Sequence, residues 1–250
     1  MSPAVATLEP SGIKSEQIYL LTNNSPGPAA IQFSVKTRQQ RNDGSEVQNP
    51  ADQLFSVNPK QAVIPSGGTQ KIRVRWLGGS NVHHEQAYRF IARQLPIQLA
   101  PEGKISLSVT MNIEGALYIK PVGQTGSTSP APAQNTAQKT QLVPGESSVA
   151  QPDQTSTRPE MLQVKKVLVV NTPQGKQLAL TVTNPAREHI ILDNIRVQLS
   201  SAGRTPITLS DGQTGNMLKQ NLLAGSTRNF IMPVPAGFDP QQQWQGRISR

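Results

Sequence analysis

The sequence predicts an all-β protein of two sandwich domains joined by a long flexible linker. Three observations carry that reading. Short segments that alternate apolar and polar side chains follow one another, separated by turn clusters, from the start of the chain to the Lys120-Pro121 exit. Similar segments resume after residue 160. Between them lies a stretch dominated by Gly, Ser, Thr, Pro, Gln and Ala, without one aromatic residue. Alternation with period two is the mark of a half-buried strand, and many short strands between turns indicate a sandwich. The intervening stretch cannot bury enough apolar area to offset the entropy of ordering it. The expected boundaries are 1–121 for the first domain, 122–160 for the linker and 161–250 for the second domain.

The first domain begins with the apolar segment 17–21, followed by the turn cluster 23–28, which holds Pro26, Gly27 and Pro28. Segment 30–36 alternates cleanly through Ile31, Phe33 and Val35, then gives way to a polar loop around Gly44. Segments 54–57 and 62–64 run into Pro59 and Pro65, residues that cannot continue a central strand. The glycines Gly67 and Gly68 lead into 69–76, where Lys71, Arg73 and Arg75 alternate with Ile72, Val74 and Trp76. Segment 87–93 follows a second loop. The most regular run is 105–113, with Ile105, Leu107, Val109, Met111 and Ile113 separated by small polar residues and continuing toward Tyr118. In the second domain the expected strands are 164–170, 177–183, 190–199, 206–209 and 228–232, with Gly212, Gly215 and Gly225 in the loops.

Composition narrows the function. The chain has 250 residues, 35% hydrophobic and only 4% aromatic, which suits two modest cores better than one large one. It has no cysteine, so a disulfide framework, a thiol nucleophile and thiolate metal ligation are excluded. The net charge of +9 favours an anionic partner. The charges are dispersed along strand faces, however, and aromatics interleaved with Lys or Arg, which base stacking needs, are nearly absent. Nucleic acid is therefore not expected as a partner. The three histidines, His83, His84 and His189, show no zinc-ligand spacing, and no phosphate-binding loop, nucleophile elbow or dinucleotide fingerprint occurs. No catalytic residue, metal or cofactor is expected. No apolar run is long enough to span a bilayer, and no signal peptide precedes the first polar loop. The chain is either cytosolic or a secreted protein whose signal has been removed.

Several motifs in order resemble the periplasmic pilus chaperones of the PapD-like chaperone–usher family. Phe55-Ser56-Val57-Asn58-Pro59, Ile64-Pro65-Ser66-Gly67-Gly68 and Gln70-Lys71-Ile72-Arg73-Val74 match that family's first domain. Glu85 to Pro96 looks like its F strand, and the run from Leu107 to Pro121 like its G strand and domain exit. In the second domain, Leu180-Thr181-Val182-Thr183-Asn184-Pro185 and Leu222-Leu223-Ala224-Gly225-Ser226 match a strand end and a later turn. The conventional branch carries a basic pair, one on the A strand and one on the G strand. Thr7 and Glu114 align there, neither of them basic, and the Tyr88-Arg89 pair and the Ala116-Leu117 segment look closer to the alternate branch, which serves CFA/I-like fimbriae.

The resemblance implies two immunoglobulin-like domains, a periplasmic location and a chaperone lending its G strand to a pilin subunit. Ile105, Leu107, Val109, Met111 and Ile113 would be the donor side chains, entering the subunit's groove at alternate positions. Arg89, Arg93 and Lys120 are candidates for anchoring the subunit's C-terminal carboxylate. An outer-membrane usher is the implied second partner, and a self-capping homodimer the implied way of protecting the strand in the free protein. The alternation by itself allows these five side chains to fill the domain's own core instead. The competing function is a structural or adhesive fimbrial protein with immunoglobulin-like domains.

Overall fold

The computed structural model describes residues 1–96, 110–123 and 162–249. The expected linker from residue 124 on and the donor positions Ile105, Leu107 and Val109 lie outside them. Among the described residues the first domain contains ten strands: β1 (Val5–Leu8), β2 (Glu16–Thr22), β3 (Ala29–Thr37), β4 (Gln39–Gln40), β5 (Glu46–Val47), β6 (Phe55–Asn58), β7 (Gln61–Ile64), β8 (Thr69–Trp76), β9 (Gln86–Gln94) and β10 (Asn112–Ile119). Two sheets, ordered β2-β8-β6 and β1-β10-β9-β3-β7, form the sandwich, and β4 with β5 makes a small hairpin.

Alternation explains each layer. On β8, Ile72, Val74 and Trp76 are buried while Lys71, Arg73 and Arg75 stay in solvent. On β9, Tyr88, Phe90 and Ala92 point into the same core. Aromatic rings knit the two sheets: Tyr19 meets Phe90 at 4.4 Å between centroids, and Phe55 packs edge-on to Tyr88 at 4.9 Å, while within its own sheet it packs edge-on to Trp76 at 5.1 Å. Such pairs contribute about 0.5–1.5 kcal/mol each beyond their buried area. Strand β1 runs parallel to β10, with Val5 opposite Ala116 and Leu8 opposite Ile119. It is four residues long, too short for its own alternation to mark it.

The second domain contains β11 (Gln163–Thr172), β12 (Gly175–Thr183), β13 (Ile190–Ile191), β14 (Arg196–Ser200), β15 (Ile207–Thr208), the single turn α1 (Asp211–Thr214), β16 (Asn221–Leu222), β17 (Thr227–Pro233) and β18 (Gln245–Ser249). Its main sheet is ordered β15-β14-β18-β11-β12-β17, and β13 pairs with β16 in a second, smaller layer. Leu178, Leu180 and Val182 of β12 form the centre of the core with Val197, Leu199, Phe230 and Ile248. The expected single strand 190–199 is two strands. Asn194 breaks it with a φ of 50°, a left-handed conformation that Asn tolerates. The halves then join different sheets, β13 to β16 and β14 to β18.

Both domains use the same buried plug. Asn23 follows β2 and donates its side-chain amide to the carbonyls of Gly27 and Ile64 at 2.8 and 2.9 Å. Asn184 follows β12 and donates to those of Glu188, Leu222 and Leu223 at 2.9, 3.0 and 3.1 Å. In each case the side-chain oxygen accepts the backbone N–H two residues on, from Ser25 and Ala186. The plug satisfies carbonyls that a turn would otherwise bury unpaired. It also brings the Asn184-Pro185 and Leu222 to Ser226 motifs together.

Candidate functional site

The two halves of β10 are built differently. Its core-facing row consists of Ile113, Gly115, Leu117 and Ile119, continued just before the strand by Met111. Leu117 and Ile119 are fully buried, whereas Ile113 is half-buried and Met111 is 58% exposed. Gly115 is tight for a reason: a Cβ there would stand 3.0 Å from the Met1 side chain and 3.2 Å from the Ala4 carbonyl, so β1 and the chain start close over it. Met111 and Ile113 also line a groove of about 400 Å³ at the end of the sandwich, with Met1, Leu21, Ile31 and Ile64 across from them.

The backbone differs in the same way. On one side β10 pairs with β9 along its whole length, from Asn112 opposite Arg93 to Ile119 opposite Gln86. On the other side β1 covers only Ala116 to Ile119. Because the Ala116 N–H bonds to the Ala4 carbonyl, even-numbered residues face β1. Asn112 and Glu114 therefore turn their N–H and C=O groups to an edge that no strand among the described residues occupies.

The outer face of β9 and β10 carries the charge. Arg89 lies opposite Ala116 and Arg93 opposite Asn112. Arg89 is committed: it donates to both Glu46 oxygens at 2.8–3.0 Å and stands 3.9 Å from Glu114. Arg38 shares the same carboxylate at 2.7 Å. Burial alone would raise the Glu46 carboxyl, but hydrogen bonds and charge from Arg89 and Arg38 outweigh it and hold it below the ordinary glutamate range. Two arginines and two glutamates thus balance each other. Arg93 is exposed and donates to Gln32 at 2.6 Å, and no carboxylate pairs with it among the described residues. Lys120 is half-buried at the far end of β10, its backbone N–H held by the Leu8 carbonyl. Eight residues of strand separate Asn112, beside Arg93, from Lys120, roughly 27 Å. The structure does not bring the three candidate anchors to one point.

Above Arg89 the same face of β10 meets the second domain. Ala116 and Tyr118 pack on Leu223, with Ala87 beside them. The Tyr118 hydroxyl accepts from Arg38 and from Asn221, both at 2.8 Å, and its ring stacks on His189 at 4.2 Å. His189 in turn contacts Glu85 through Nδ1 at 2.8 Å. Arg187 donates to the carbonyl oxygens of His83 and Val122. Sequence reasoning missed this hub, Glu46 and Met1, since their partners lie up to about a hundred residues away and leave no local pattern. His83 and His84 sit in a loop as expected, and among the described residues no three His, Asp or Glu side chains converge on a point.

No protein-family model and no curated protein sequence matches the chain. Solved structures do. A chain from the complex of the CsuC chaperone with the CsuE tip adhesion subunit, of the archaic chaperone–usher Csu pili of Acinetobacter baumannii, aligns with a TM-score of 0.55 at 16% identity, over 98% of this chain and 95% of that one. The class 5 fimbriae chaperone CfaA aligns with a TM-score of 0.51 at 11% identity, over 99% and 96%. A chain of the chaperone–tip adhesin complex of CFA/I fimbriae biogenesis gives 0.51 at 10%, over 99% and 95%. At these identities the likeness is one of fold, and it extends over both domains. The chain has the two-domain immunoglobulin-like fold of the pilus chaperones, that of class 5 fimbriae among them.

Proposed function

We propose that the chain is a periplasmic chaperone for fimbrial subunits, acting by lending the strand that leads into β10 to a subunit that lacks one. The observation that carries this reading is the open half of β10. Met111 and Ile113 extend a core row outward to an exposed side chain, beside a groove and along a strand edge whose backbone groups have no partner among the described residues. Ile105, Leu107 and Val109 continue the same alternation in the sequence. A subunit with an open apolar groove would take main-chain hydrogen bonds along this edge and accept the alternate side chains. Each buried side chain would contribute about 1.5–3 kcal/mol before ordering and association costs.

Arg93 is the basic residue we assign to the subunit's carboxylate. It stands beside the exposed end of β10 and is free of the carboxylates that hold Arg89. Lys120, at the other end, would meet a different part of the subunit. Delivery to an outer-membrane usher and self-capping as a homodimer when free complete the proposed cycle.

Co-expression with a candidate subunit tests the reading. Val109→Asp and Met111→Asp are expected to abolish recovery of the subunit on the chaperone while both domains stay folded. Recovery at the wild-type level by both variants refutes donation from this strand.

A further inference from the structure

The second domain has an incomplete sheet of its own. Strand β11 pairs with β12 along its length, but on its other side β18 meets it only at Gln163 opposite Arg247. The ladder shifts between Val164 and Lys166, and β18 instead follows β14 from Arg196 to Ser200. Alternate residues from Lys166 to Thr172 consequently turn N–H and C=O groups to a side where no strand among the described residues pairs with them, β18 having diverged after Gln163. No loop among them supplies a backbone hydrogen bond either.

The side chains record the same gap. Val167 and Val169 stand opposite Leu180 and Leu178, both fully buried, and so belong to the core face. Yet both valines are only half-buried. They open onto a groove of about 790 Å³ whose other walls include Ala202, Phe238 and Trp244. Phe238 and Trp244 stack at 4.9 Å between centroids and form a flat apolar wall. Leu168, on the outer face, is 53% exposed.

We infer that this groove is a second peptide-binding site, which takes an extended, acidic segment of a partner protein as an added strand beside β11. Unpaired backbone groups call for a strand, not a helix or a small molecule. Half-buried valines beside an aromatic wall call for an apolar residue at alternate positions. Charge selects acidity. The described part of this domain holds nine Lys and Arg against four Asp and Glu. Lys165 and Lys166 are exposed at the start of the open edge, and the one carboxylate close to the groove, Asp239, is already paired with Arg204 at 3.2 Å. A second copy of this basic chain would bring like charge to the edge. The site lies on a different domain from the proposed donor strand and does not depend on it.

The test uses the full chain and a synthetic nine-residue peptide alternating valine with aspartate or threonine. Binding is followed by amide resonances of Val167 and Val169 and the indole resonance of Trp244. Expected are saturable shifts at all three and little change at Trp76 in the first domain. A peptide of the same sequence, N-methylated along one edge, should bind at least about tenfold more weakly, having lost its main-chain hydrogen bonds. A lysine-for-aspartate peptide should also bind more weakly. Absence of shifts, or equal binding of the N-methylated peptide, overturns the site. Concentration-dependent dimerisation that shifts the same resonances without peptide overturns the assignment to a partner, as does loss of the edge's protection when residues 124–161 are replaced by a glycine–serine linker. The unmodified chain carries the main arms, so misfolded variants cannot confuse the result.

Discussion

The two halves of β10 share one alternating pattern and serve opposite ends. From Ala116 to Ile119 the strand is closed on every side, by β9 and β1 along its edges, by the core beneath and by the second domain above. From Met111 to Glu114 it has one neighbouring strand among the described residues, an exposed methionine and an open groove. Alternation therefore identifies a face, while neighbouring strands decide who owns it. The closed half anchors the strand in its own domain, and under the proposed function that rigidity would present the open half already extended, at little ordering cost.

Substitutions can break this contrast in graded steps. Leu117→Ala should remove about 2–5 kcal/mol from the first domain, through lost transfer energy and a cavity, as read by denaturant unfolding. Met111→Ala, six residues earlier on the same face, should stay within about 0.5 kcal/mol. If the two cost the same, the halves are not different. Tyr118→Phe keeps the stacked ring but strands the donors of Arg38 and Asn221, and should cost about 1–3 kcal/mol in the unfolding step that separates the domains.

Glu46→Gln is a smaller and pH-dependent effect, about 1 kcal/mol after solvent screening. Because the folded carboxyl is held below its unfolded value of about 4.3, its stabilisation is fully present above that pH. It fades as pH falls through the lower folded value. Unfolding curves of wild type and Glu46→Gln should thus differ at pH 7 and converge in acid. Smallest for stability is Arg93→Ala, expected to leave unfolding unchanged while weakening subunit binding by roughly tenfold.

Much of the fold was legible in the sequence because it is local. The segment 69–76 carries its strand in the alternation of three basic and three apolar residues, and the structure gives it those bounds. Strands β1 and β18 show why other elements were not. Val5–Leu8 is held by β10, more than a hundred residues later, and only the family resemblance put Thr7 on a strand. Gln245–Ser249 buries the single apolar residue Ile248 and is defined by its pairing with β14. Segment 190–199 looked continuous because apolar residues run through it, and the break depends on the backbone of Asn194. Of the site, the core-facing positions Ile113, Leu117 and Ile119 could be read from spacing, but the fate of Arg89 could not. Its partner Glu46 comes from a hairpin 43 residues away, and a lone arginine on a strand does not announce an internal ion pair.

The central claim is that the edge of Asn112 and Glu114 is closed by a subunit. Amide hydrogen exchange measured with and without bound subunit addresses it directly. Exchange at Asn112 and Glu114 should slow by at least about tenfold in the complex, with little change at Leu117, already paired within its own sheet. Unchanged exchange at Asn112 and Glu114 in a complex shown to be intact would contradict it.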